Sequence, residues 1–309
     1  MIETISKEPS DLIQMMIDTA KKAGQSLMED FGNLHEVKVS LKAKGDFVSS
    51  ADHRTEKLIM QHLMKATPSY SFLMEEQGAV CGIDKENLWI VDPLDGTSNF
   101  IHGIPHFCVS IALKRQNTIV AGVIFYPALN YLYWAEKGKG SYFNHKKMQV
   151  SKQLCVDDVL MTIDIPYSDN ATVNTWNCLK EKIGSTRHFG SAALDLAYVA
   201  SGKLDAAFAT NLKPWDLAAG ILLVQESGGI VCDANGKQEM LATGTILAAN
   251  SHVFAPLSKL LLGSTTQYFA STPHSTSLRS VSCGAAALKA AAAAGQGSDQ
   301  SVFLFLRHQ

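Results

Sequence analysis

No apolar run in this 309-residue chain approaches the roughly 20 residues of a membrane span, so none is expected to cross a bilayer. Charge of one sign is not in excess either, since 27 Lys and Arg stand against 29 Asp and Glu. That balance leaves no overall basic field to draw nucleic acid or an anionic membrane surface, and an anionic substrate must find local cations. The stretch from Met1 to Pro9 lacks both the basic start and the apolar middle of a secretory leader, and the expected location is the cytoplasm. The six cysteines, Cys81, Cys108, Cys155, Cys178, Cys232 and Cys283, contain no Cys-x-x-Cys pair. They sit mostly in apolar segments, which favours buried reduced thiols over disulfides or a zinc site. His102 and His106 have the spacing of helical zinc ligands, but Gly103 and Pro105 between them break the helix that would align them.

What is present is enough apolar residue, 46%, for one large core or two sub-domains sharing an interface. Apolar positions from Leu12 to Phe31 fall on one face and predict a helix over 11–31 that stops at Gly32; a second is expected over 52–65. Runs at 88–92, 107–114, 118–126 and 131–136, with a short piece near Tyr142, read as an antiparallel meander. From about 153 the pattern alternates: strands near 159–163 and 205–209, helices around 172–183 and 191–202, and after Pro214 a helix apolar nearly all round. Strands at 230–232 and 245–249 and a closing helix to about 262 follow. The fold class is α+β joined to α/β, divided as an N-terminal half over 1–152 and a C-terminal half over 153–263. Residues 264–309, rich in Ser, Thr and Ala, are expected to lie outside the fold as a natural tail or an appended segment.

The most informative stretch is Trp89-Ile90-Val91-Asp92-Pro93-Leu94-Asp95-Gly96-Thr97-Ser98-Asn99-Phe100. A residue before proline is pushed toward extended backbone, so Asp92 should end its strand and Pro93 should stop the ladder. The Leu94 carbonyl is then expected to be free to face a cation beside Asp92 and Asp95, hard oxygen ligands that suit Mg2+. Gly96 permits a tight turn, and a helix opening at Thr97 offers unpartnered N–H groups for phosphate oxygens. The Thr97 hydroxyl can orient an attacking water. By themselves the letters Asp-Pro-x-Asp-Gly also describe an ordinary surface turn.

Further carboxylates shift that balance. Glu75 and Glu76 end a short apolar strand shortly before the Asp92 strand, while Asp216 and Asp52 each stand at a helix start, as a cap or as a functional group. If Glu75, Asp92, Asp95 and Asp216 meet, about four negative charges share one cavity, which two or three divalent cations would neutralise. The chemistry this predicts is phosphate-ester hydrolysis, with Asp52 accepting from Thr97 and Glu75 helping to deprotonate the water. Gly190, Ser191 and Ala192 open another helix, whose N–H groups face substrate oxygens or simply start the helix.

These residues resemble the inositol monophosphatase family, in particular its bacterial extragenic-suppressor branch. The likeness spans about residues 10–262 in five collinear motifs: Gly45-Asp46-Phe47-Val48 with Asp52; Glu75-Glu76; Asp92 to Thr97 with Asn99-Phe100; Gly190 to Asp195; and Pro214-Trp215-Asp216 with Ala218-Ala219-Gly220. The resemblance implies a layered αβαβα sandwich of the inositol monophosphatase/fructose-1,6-bisphosphatase type, Mg2+ dependence, lithium inhibition and a homodimer. It implies metal ligation by Glu75, Asp92, the Leu94 carbonyl, Asp95 and Asp216, and water activation through Thr97 and Asp52. A small phosphorylated sugar or polyol is the implied substrate; the residues expected to meet it are Gly96, Thr97, Gly190, Ser191, Ala192 and Asp216, with Lys213 added by its charge alone. Members of the bacterial branch also act with the transcription machinery, which makes a protein partner the alternative role. Two positions depart from the family pattern. Met74 replaces a small residue before the acidic pair, and Ala209 stands seven before Asp216, where inositol-hydrolysing members commonly carry a Glu that binds sugar hydroxyls. With Lys213 close by as a cation, fructose 1,6-bisphosphate or a nucleotide phosphate competes with inositol monophosphate as the expected substrate.

Overall fold

The strand that begins at Asn87 runs on through Asp92 and Pro93 to Asp95. In the computed structural model, which describes residues 8–43, 46–165 and 182–269, that strand (β5, Asn87–Asp95) lies near one end of an eight-stranded sheet. Its register against β6 (Cys108–Arg115) passes from Asp92 opposite Ser110 to Asp95 opposite Cys108, so three steps on one strand match two on the other. The expected stop at Pro93 is therefore a bulge: the extra residue accommodates the missing proline donor, and pairing resumes at Asp95.

The meander forms as its alternation predicts, through β6, β7 (Thr118–Tyr126), β8 (Tyr131–Glu136) and β9 (Gly140–Phe143) to the short β10 (Lys146–Lys147). On the other side of β5 lie β3 (Ser71–Met74), parallel to it, and β4 (Gly78–Val80). Period-two alternation sends Trp89, Val91, Ile111 and Val123 to one face and Ile90, Ala112 and Ile124 to the other. The first face is covered by α1 (Asp11–Phe31) and α2 (Ser50–Ala66). Ser10 caps α1, and Ile13, Met16, Ala20, Ala23 and Leu27 are its buried stripe. Ahead of α2 is a hairpin of β1 (Val39–Ala43) and β2 (Asp46–Ser49).

The second face is covered by α4 (Ala192–Ala200) and α5 (Pro214–Glu226), the latter buried over almost its whole surface as its composition requires. It approaches the sheet closely, for a Cβ on Gly122 of β7 would meet the Ala219 backbone at 3.1 Å. Beyond these helices stands a five-stranded sheet in the order β12-β11-β13-β15-β14, made from β11 (Leu160–Asp164), β12 (Ser185–Arg187), β13 (Ala206–Ala209), β14 (Ile230–Cys232) and β15 (Ile246–Ala249). Ala207, Ala209, Ile246 and Ala248 face α4 and α5, while Ala206, Phe208, Leu247 and Ala249 meet the closing helix (Ser251–Phe269) through Val253, Leu257 and Leu261. The layers thus alternate as helices, sheet, helices, sheet, helix.

The closing helix runs through Pro256 and passes the expected end near 262, so neither that proline nor the change of composition at Gly263 stops it. The helix expected around 172–183 falls almost wholly outside the described residues. Cys108 and Cys232 are buried as free thiols, but Cys81 and Cys155 are exposed, contrary to the expectation for apolar segments. Among the described residues no helix is long and apolar enough to cross a membrane.

Candidate metal centre

The β5 bulge turns two carboxylates into one corner. Asp92, only 2% exposed, accepts the Leu94 N–H at 2.9 Å, which holds the chain through the turn. Asp95 is tied across the interlayer space: one of its oxygens, Oδ2, accepts the Ser191 hydroxyl at 2.6 Å and the Ala193 N–H at 2.8 Å. Asp216, in the first turn of α5, accepts the Lys213 N–H at 2.7 Å. Each of Asp92, Asp95 and Asp216 offers an oxygen, and these three oxygens lie within 4.8 Å of one another.

Three carboxylates held so close do not readily all ionise. Burial, followed by the charges of Glu75, Asp95 and Asp216, pushes Asp92 well above the usual carboxylate range. Asp216 is pushed up to about 8, by burial first and then by Asp95 and Glu75. For Asp95 burial wins over the Ser191 and Ala193 hydrogen bonds and raises it to about 6. Hard oxygens in a negatively charged, desolvated group are the donor set that divalent cations such as Mg2+ fit.

A second carboxylate group, Asp52, Glu75 and Glu76, has its oxygens within the same 4.8 Å limit. Glu75 follows Met74, which pairs with Val91, so the parallel ladder brings it alongside Asp92. Asp52 is fully buried and serves its own helix first, because Oδ2 accepts both the N–H and the hydroxyl of Ser49 at 2.8 and 2.6 Å in a capping box. Its other oxygen accepts the Thr97 hydroxyl at 3.1 Å. The reading of Asp52 as a cap and its reading as the Thr97 acceptor are both realised, one on each oxygen. Burial still raises its pKa, the Ser49 bonds opposing.

Thr97 also lies 3.0 Å from the Leu94 carbonyl. The one Thr97 proton thus has two acceptors within reach, Asp52 and that carbonyl, and the carbonyl keeps a lone pair to face a cation in either case. Gly96 takes φ 98°, and a Cβ there would meet the His106 carbonyl at 2.9 Å, so the turn requires glycine. The helix that follows, α3 (Thr97–Ile101), has five residues. Asn99 donates to the carbonyls of His106 and Phe189 at 2.9 and 2.8 Å, fastening this corner to the segment that leads into α4.

That segment differs in detail from the expected row of free N–H groups. Gly190 takes φ 77°, but Ser191 does not cap α4 with its side chain; its hydroxyl and the Ala193 N–H are committed to Asp95. Lys213 is exposed, and it is its backbone that reaches Asp216. Ala209 ends β13, buried, with Asp164 as its partner in the parallel ladder. Reading the sequence missed three contributors. Cys108 places a buried thiol 3.9 Å from Asp95 Oδ2 and 3.8 Å from the Ser191 hydroxyl. Ser49 holds Asp52, and Glu56 is a fully buried acid on α2. The Ser-x-x-Asp spacing announced the first of these two, and an acid amid the buried helix stripe announced the second.

The model of the inositol monophosphatase family matches residues 8–269. The chain belongs to the inositol monophosphatase family. It is 47% identical over 255 residues to an inositol-1-monophosphatase of Mesorhizobium japonicum, covering 81% of this chain and 96% of that one. A putative Nus factor SuhB of Neisseria meningitidis serogroup B is 39% identical over 246 residues, with 78% and 94% covered. The crystal structure of the extragenic suppressor protein suhB from Bartonella henselae superposes with a TM-score of 0.80 at 42% identity, over 82% of this chain and 98% of that one. The α+β layered sandwich is that of the inositol monophosphatase/fructose-1,6-bisphosphatase fold, and the family is one of phosphatases acting on small phosphate esters.

Proposed function

We propose that this chain is a Mg2+-dependent phosphomonoesterase acting on a small sugar or polyol phosphate, with inositol 1-phosphate the first substrate to test. The observation that carries the reading is the three-oxygen group of buried Asp92 and half-buried Asp95 and Asp216, together with a Thr97 hydroxyl whose proton is already engaged. Glu75, Asp92, the Leu94 carbonyl, Asp95 and Asp216 are the residues that would hold two or three Mg2+. When bound, these cations neutralise the acidic group, polarise phosphoryl oxygens and lower the pKa of a water.

The chain's own residues then do the following. Thr97 directs its one proton to Asp52 or the Leu94 carbonyl, so its oxygen lone pairs are left to accept from a water and aim it. Asp52 keeps the Thr97 hydroxyl in that orientation, and Glu75 takes part in removing the water's proton. The backbone around Gly96 and Thr97 receives the phosphate, and Gly190, Ser191, Ala192 and Asp216 border the alcohol part. Ser191 acts there chiefly through Asp95, since its hydroxyl is spent on that carboxylate.

The alcohol is the open half of the substrate. Ala209 offers a methyl group and no acceptor, which weakens the argument for strict inositol selectivity and keeps fructose 1,6-bisphosphate and nucleotide phosphates such as NADP or adenosine bisphosphate in contention, with Lys213 a cation near Asp216. A homodimer is part of the proposal by family likeness. Phosphate release from a panel of these esters, with Mg2+ and then with added Li+, tests the reading. Release that needs Mg2+ and falls with Li+ supports it, and no release from any ester contradicts it. A second reading, a protein-binding role in transcription, draws on the relative named a putative Nus factor. It predicts that a partner is still captured after Asp95→Asn has removed hydrolysis.

A further inference from the structure

Glu56 is fully buried midway along α2, on the face that also buries Asp52, Thr55, Ile59 and Leu63. A carboxylate that has given up its water must find donors. Glu56 finds them in the backbone: the Glu76 N–H at 2.7 Å on one oxygen and the Gln77 N–H at 3.0 Å on the other. Those two amides belong to the turn immediately after Glu75. On its other side Glu75 adjoins Met74, whose partner Val91 directly precedes Asp92. The backbone of Glu75 is thus gripped from one side by the sheet and from the other by Glu56.

Asp52 lies four residues before Glu56 on the same helix, so the two carboxylates project from one face a turn apart. Asp52 reaches Thr97, and Glu56 reaches the turn behind Glu75. One rigid element therefore spaces the group that orients the water from the acid that would meet the cation. We propose that Glu56 is a positioning residue, which through its paired bonds to the Glu76 and Gln77 amides holds Glu75 beside Asp92 for cation binding. This rests on the reading of the site as a divalent-cation phosphatase. The carboxylate is specific to the task, because both oxygens face N–H donors. A glutamine amide would set its own NH2 against one of them, and a shorter side chain would not reach both.

The test measures binding of Mn2+ by the electron paramagnetic resonance of the free ion, with a melting curve for each protein. The variants are Glu56→Gln, Glu56→Asp and, as a control, Leu63→Ala, a fully buried position on the same helix remote in role from the carboxylates. The expected result is that Glu56→Gln weakens Mn2+ binding by about ten-fold or more and Glu56→Asp by less, while Leu63→Ala lowers Tm with Mn2+ affinity within about two-fold of wild type. Phosphate release by Glu56→Gln should recover toward the wild-type rate at saturating Mg2+, which places the defect in occupancy rather than in chemistry. Wild-type Mn2+ affinity in a Glu56→Gln protein, whatever its Tm, overturns the positioning role; if the Gln protein does not fold, the same comparison is decided by Glu56→Asp. A wild-type chain that binds no Mn2+ overturns instead the reading of the site beneath it.

Discussion

The two carboxylate groups that share this corner are built on opposite plans. Asp92, Asp95 and Asp216 come from a bulged strand and a helix start, and their mutual charge and burial outweigh the few N–H donors given to them. Asp52 is also buried, yet three protein donors, the Ser49 N–H, the Ser49 hydroxyl and the Thr97 hydroxyl, satisfy both its oxygens. A divalent cation would neutralise the first group, whereas Asp52 already has protein donors facing both its oxygens. Removing charge from the first should therefore cost function and relieve strain, while disturbing the cap that holds Asp52 should cost stability first and function less.

The sharpest contrast comes from Asp216→Asn. It is expected to reduce phosphate release by more than about a thousand-fold while raising the Tm of the metal-free protein at pH 8, since the amide still accepts from Lys213 but no longer repels Asp92 and Asp95. A lowered Tm in calorimetry would break the comparison. Thr97→Ala comes next: kcat should fall about a hundred-fold, with the Mg2+ midpoint little changed and Thr97→Ser keeping most of the rate, because only the hydroxyl is asked for.

Stability against pH is the third contrast. Asp92, Asp95 and Asp216 have native pKa values raised above their unfolded ones, so the folded state binds their protons more tightly. Their contribution favours folding below the unfolded value near 4 and is lost as pH rises through about 6 for Asp95 and about 8 for Asp216. Melting curves of metal-free protein should drift downward over that window, and Mg2+ should raise Tm most at its upper end. The smallest effect is expected from Ser49→Ala, about 1 kcal/mol of stability by denaturant titration and only a few-fold in kcat, as a lost cap that leaves the Thr97 bond in place.

Much of this arrangement was legible in the residues. The helix over 11–31 and the apolar helix after Pro214 follow from periodicity, and the acids that gather are those whose positions at strand ends and helix starts marked them. The Asp-Pro step misled because local preference at Asp92 and Pro93 predicts an ending, whereas pairing with β6 is strong enough to resume after one bulged residue. The Ser191 bond to Asp95 was not legible at all, since it joins residues 96 apart in sequence through a contact only the packed layers create. Reach is the common factor: spacing along the chain announces caps and faces, and bonds across layers leave no local trace.

A calorimetric titration of metal-free protein with Mg2+ near pH 7, repeated in buffers of different ionisation enthalpy, tests the central claim most directly. Gathered, partly protonated carboxylates should take up Mg2+ with release of protons, and Asp92→Asn should abolish the tight step. Mg2+ uptake without proton release, or uptake indifferent to Asp92, would contradict the account.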